Sequence, residues 1–221
     1  MTDTISDSLG GLLGSTVQQA PSGSGDRSGA DRQRKPLRGR IPGELGIWIF
    51  IFGDMTAFAL MFIVFESARM DEPKVFEASR RTMHLPFGAV NTLLLLLGSL
   101  LVVRGLRAVR TGEERAPLLF GLCWLCGLIF VVDKIIEYTW VANDGHSVSD
   151  NLFYGYYFLF TAAHLLHLLL AMLGMAVVVR ISRRPVHTAK DLRHIEVFGA
   201  YWHLVDLLWV ILFPLIYLMR V

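Results

Sequence analysis

The chain has 221 residues, 53% of them hydrophobic, a formal net charge of +2 and a mean hydropathy of +0.49. Soluble domains reach about 45–50% apolar only when Gly is counted, and Gly is left out of this figure. No phosphate-binding Gly-rich loop, GxSxG, HExxH or soluble catalytic domain is present. The basic residues read as membrane-topology signals, so lipid and membrane proteins are the expected partners and nucleic acid is not.

Residues 1–41 read as a flexible cytoplasmic tail. Its segment 20–31 (APSGSGDRSGAD) has linker composition, and a basic cluster follows at 32–40. The first apolar run starts too late for a signal peptide and lacks a small-residue cleavage site, so the tail is expected to stay attached. Residues 42–221 then carry five stretches near the roughly 20 apolar residues that cross a bilayer: 44–66, 86–106, 116–139, 152–179 and 198–219. With no alternating pattern for a β-barrel, an all-α, polytopic bundle of five transmembrane helices is predicted.

The first span, introduced by Pro42 and Glu44, holds Asp54 about ten residues in, near mid-membrane at 1.5 Å per residue. Such an acid is either a proton-relay or gating group, or a protonated acid tied to a neighbouring helix. Pro86 opens the second span, where Asn91 is an expected interhelical hydrogen-bonder. Pro117 opens the third. There Cys123 and Cys126 read as small apolar fillers, and Asp133, Lys134 and Glu137 form an ion cluster close enough to the outer interface for water to reach.

The fourth span, with Ser149 and Asp150 as candidate caps, carries His164 and His167 on one face at i, i+3. The fifth carries His203 and Asp206 at the same spacing, and Pro214 is expected to kink it. Phe153, Tyr154, Tyr156, Tyr157, Phe158, Tyr201 and Trp202 suit an interfacial aromatic belt. Fifteen Lys and Arg residues flank one side of the predicted bundle and five the other, which places the N-terminus inside and the C-terminus outside.

Ionisable groups at span centres cost about 2.5–3.5 kcal/mol each on insertion scales, so they are expected to meet one another across helices. For the histidines this means hydrogen-bonded packing against Asp206, Glu137 or Asp54, with no metal ligand set. One alternative is a small membrane cytochrome with His164 and His203 as axial haem ligands. Another is a proton-coupled transporter using Asp54, for which the sequence lacks the usual inverted repeats and broken helices.

The polar pattern resembles subunit III of the haem-copper oxidases, the cytochrome c oxidase subunit III family. The stretch Ala200 to Trp209 (AYWHLVDLLW), with Phe213 and Tyr217 after it, is similar to that family's closing helix, which reads close to YWHFVDxxW. Thr161 to His167 resembles its TGFHGxHV motif in both histidines, with Ala162, Ala163 and Leu165 replacing Gly, Phe and Gly. Glu137-Tyr138 and Asn91-Thr92 match further pairs, while Lys134 stands where Gln is common. The resemblance covers about residues 42–220. It implies an accessory subunit without a redox centre of its own, packed against the catalytic subunit I that holds haem and copper. Asp54 falls where the family carries a membrane-buried glutamate linked to sustained proton uptake. Longer members have seven spans with lipids held in a cleft; the five here are similar to shorter bacterial members in the inner (plasma) membrane. Gly53-Asp54-Met55 and Lys134 also resemble the branch associated with nitric oxide reductase, which would change the catalytic partner and keep the fold.

Overall fold

The computed structural model describes residues 45–218, apart from 82, 84, 146, 148 and 149. The tail, Pro42, Glu44 and the candidate cap Ser149 lie outside the described residues. The helices are α1 (Leu45–Asp71), α2 (Pro73–Arg81), α3 (Leu85–Thr111), α4 (Ala116–Asn143), α5 (Leu152–Ser182) and α6 (Ala189–Phe213), which runs into a π-helix at Pro214–Leu218. All but α2 are long and apolar enough to span a membrane, and no strand occurs among the described residues. In hydrocarbon every backbone N–H and C=O must be paired within the segment, and helices of this length achieve that.

Helices α3, α4, α5 and α6 pack as a closed ring of neighbours, and α1 lies on its flank against α5 and α6. Helix α2 was not foreseen. It is short and strongly charged, and it buries Phe76 against Phe65 of α1 and Phe153 of α5. Helix α6 begins nine residues before the predicted span because Thr188 and Asp191 form a reciprocal capping box. Its first turns are polar and are held by Arg184–Asp191 at 2.8 Å and Arg110–Glu196 at 2.6 Å. The cap of α5 is Asn151, whose side chain accepts from the Tyr154 N–H at 3.1 Å. Asp150 instead accepts from the Ser147 N–H and hydroxyl.

The centre of the ring is built around Trp202 of α6. A Cβ placed on Gly98 of α3 would lie 2.9 Å from the indole, and one on Gly127 of α4 3.0 Å from it. Two missing side chains therefore make the notch in which the ring sits. The belt reading is corrected here: Phe153, Tyr154, Tyr157 and Trp202 are core residues, because their rings fill the space between helices. Pro214 lacks an N–H and its ring crowds the preceding turn, and the chain meets this by widening into the π-helix. That turn carries Tyr217 inward. The outer surface is apolar, with Leu93, Leu118 and Leu173 about two-thirds exposed, as a lipid-facing surface requires.

Candidate functional site

Three polar groups lie within the spans, and each joins different helices. In the first, Asp54 of α1 meets His167 of α5 with Oδ1 to Nε2 at 3.0 Å, and Phe58 stands edge-on to the imidazole. Asp54 is nine residues into α1, about 14 Å along its axis. The other ring nitrogen of His167, Nδ1, lies 2.7 Å from the Ala163 carbonyl oxygen. A carbonyl can only accept, so Nδ1 carries hydrogen. In a neutral imidazole Nε2 is then an acceptor, and an ionised carboxylate facing it has no hydrogen to offer. The contact closes only if Asp54 is protonated or if His167 is an imidazolium. Either way the pair holds one proton that a fully deprotonated pair lacks. Asp54 Oδ2 is buried and accepts no hydrogen bond among the described residues.

The second group is the predicted ion cluster, in a different setting. Lys134 and Glu137 are fully buried, not reached by water as the sequence suggested. Glu137 Oε2 accepts from Lys134 Nζ at 2.7 Å, and Oε1 accepts from the hydroxyls of Tyr157 (3.0 Å) and Tyr217. Lys134 also donates to Tyr217 at 2.9 Å and lies 5.0–5.8 Å from the ring centres of Tyr138, Tyr157, Trp209 and Tyr217. Four aromatic side chains thus wall off the ammonium. Tyr138 caps the edge by donating to Thr161 at 2.7 Å. Asp133 is half-buried and faces Asn91 of α3 rather than joining the Lys134–Glu137 pair.

The third group links α3 and α6. His203 and Asp206 share a face as predicted, and Ser99 of α3 joins them. Its hydroxyl donates to Asp206 Oδ2 at 2.5 Å and lies 3.0 Å from His203 Nδ1. Nothing in the sequence marked Ser99, because a serine in a leucine-rich run carries no spacing signal.

One expectation is overturned. His164 is completely buried, yet neither ring nitrogen has a hydrogen-bond partner; it lies between Phe130 and Trp209, with centroids 5.6 and 5.0 Å away. Asp206, Glu137 and Asp54 are each engaged elsewhere, with Ser99, with Lys134 and the tyrosines, and with His167. Asn91 of α3 is buried with its side-chain amide facing Asp133 of α4, and its neighbour Thr92 accepts from Trp209 Nε1 of α6 at 3.1 Å. Thr92 points between α3 and α6, whereas Asn91 is turned one residue away. The structure also leaves His164 and His203 in separate surroundings, one walled by aromatic rings and the other held by Ser99, which does not fit a pair of axial ligands. Among the described residues no three His, Cys, Asp or Glu side chains converge as a metal site. Cys123 and Cys126 are buried free thiols. Tyr157 and Tyr217 were read only as aromatic positions; their signal was a phenol deep in an apolar span, which needs a partner for its hydroxyl.

Fold and site together define a multi-pass helical membrane protein whose internal polar groups pair across helices. Residues 40–221 match the family model described as Cytochrome c oxidase subunit III. The cytochrome c oxidase subunit 3 of a Synechocystis strain is 26% identical over 79% of this chain and 74% of its own length. That of Bacillus sp. PS3 is 25% identical over 79% and 84%. A cytochrome bo(3) ubiquinol oxidase subunit 3 from Buchnera aphidicola is 23% identical over 78% and 84%. The chain belongs to the cytochrome c oxidase subunit III family.

Proposed function

We propose that this chain is a non-catalytic subunit III that packs against the haem- and copper-bearing subunit I of a respiratory oxidase and supports its assembly and proton uptake. In this reading the chain binds no cofactor. The excess of Lys and Arg on one side supports an N-terminus inside the cell and a C-terminus outside, in a bacterial inner membrane. The observation that carries the proton role is the Asp54–His167 contact, which needs one proton to close and lies near mid-membrane. With that proton the pair is neutral overall, and losing it leaves one net negative charge in hydrocarbon, so the pair regains a proton readily. The Lys134–Glu137–Tyr157–Tyr217 group is neutral as a whole and its four members are joined by hydrogen bonds, so its role is to hold α4, α5 and the C-terminal π-helix together.

Asp54→Asn and Asp54→Ala in the assembled oxidase test this. The expected result is slower turnover, or faster loss of activity during turnover, with normal subunit content. Wild-type kinetics over the whole time course would remove the proton role and leave a structural subunit.

A further inference from the structure

We propose that the face of α3 and α6 centred on His203 is the surface on which the partner subunit's transmembrane helix docks, and that this helix presents a hydrogen-bond donor to His203 Nε2. The inference rests on the reading of the chain as one subunit of an oxidase, and adds which face is used and what chemistry meets it.

Ser99 lies near the middle of α3, and His203 near the middle of the run Ala189–Leu218. Both are half-buried rather than enclosed. Ser99 gives its hydroxyl hydrogen to Asp206, so it must receive one from His203 Nδ1. His203 Nε2 is then left as an acceptor on the open side of the seam. Asp206 is buried behind this seam and holds the Ser99 hydroxyl in place, so the imidazole of His203 is the polar group that the half-open seam offers. Around these atoms the surface is smooth and apolar: Leu96 and Val103 flank Ser99 on α3, and Leu207 and Val210 continue the stripe on α6, all exposed.

Acyl chains at this depth offer no donor, so lipid alone leaves His203 Nε2 unpaired. A second copy related by a two-fold axis would bring the same patch against itself, acceptor facing acceptor. A different transmembrane helix carrying a hydroxyl, amide or indole N–H satisfies the seam, and small polar side chains serve this way between membrane helices.

The test places a photo-crosslinking residue at Leu207 or Val103 in the intact complex in native membranes, with Leu118 and Leu173 on other faces as comparison. The expected product joins Leu207 and Val103 variants to the haem-bearing subunit. Products with that subunit only from Leu118 or Leu173, or a dimer of this chain from Leu207, would overturn the assignment while leaving membership of the complex intact. No crosslink from any position, with no copurifying haem subunit, would overturn both. His203→Phe keeps the bulk and removes the acceptor. Its retention in the complex during detergent titration should fall roughly 3- to 18-fold, the range of interhelical hydrogen bonds in membranes. Retention equal to wild type would also count against the docking face.

Discussion

Replacing Lys134 by Met strips one partner from a fully buried ion pair and leaves the Glu137 carboxylate behind. The Nζ–Oε2 distance is 2.7 Å and neither side chain meets solvent, so water cannot take over the lost interaction. Breaking such a pair by removing one member costs about 3–5 kcal/mol. The hydroxyls of Tyr157 and Tyr217 still donate to Oε1 in the variant, which argues for the lower end of that range. Lys134→Met combined with Glu137→Gln removes both charges and keeps an acceptor for the tyrosines. Neutral replacements of buried pairs cost little and in some proteins stabilise by about 1–4 kcal/mol. The double variant should therefore be more stable than Lys134→Met alone, and the two effects should be far from additive. Unfolding of the purified subunit in a denaturing detergent series reports this through tryptophan fluorescence, since Trp209 lies 5.0 Å from Lys134 Nζ. A loss below about 1 kcal/mol for Lys134→Met, or a double variant as unstable as the sum of its parts, would refute the buried-pair reasoning.

Three further outcomes are expected. His164→Phe should fold normally and gain about 1 kcal/mol, because an imidazole with no hydrogen-bond partner is exchanged for a ring that needs none; a large loss in the same denaturant assay would mean that His164 has a partner. Gly98→Leu should fill the Trp202 notch and cost about 1–3 kcal/mol by overpacking, visible as a lower denaturation midpoint and a shifted tryptophan emission, and an unchanged spectrum would contradict the packing. In α2, hydrogen bonds from Arg80 and then Arg81 hold the Glu77 carboxyl down from an ordinary 4.5 to about 2. Its folded pKa is depressed, so its contribution is present above about pH 4.5 and fades as pH falls toward 2. Amide hydrogen exchange in α2, corrected for the intrinsic pH dependence, should rise over that interval in wild type and stay flat in Glu77→Gln; parallel curves would dismiss the linkage.

The five spans were legible because each is an apolar run bounded by Pro, polar caps or charges, and hydrocarbon admits little else. Position along a helix was legible for Asp54, nine residues into α1, but less so for His203, because α6 starts nine residues earlier than the apolar run. Partnership was legible only in part. The Lys134–Glu137 pair follows from i, i+3 spacing, and the His203–Asp206 face from the same rule, but which residue approaches from the next helix depends on helix rotation. That is why Ser99 went unmarked, why Thr92 rather than Asn91 makes the bond to Trp209, and why His164 ends among aromatic rings. Aromatic residues near span ends were assigned to the interface by composition, yet Tyr157 and Trp202 face inward because glycines and acids on facing helices make room and partners for them. Helix α2 was overlooked because nine charged, amphipathic residues between two apolar runs read as a loop.

The account depends most on the chain holding no redox centre while belonging to a complex that does. The direct measurement is a visible absorption spectrum, normalised to protein, of the complex purified in mild detergent and of the same chain after its separation under harsher detergent. The complex should show a Soret band with a second, haem-bearing polypeptide present, and the separated chain should show none. A Soret band that stays with the separated chain in stoichiometric amount would contradict the account and return His164 and His203 to consideration as ligands.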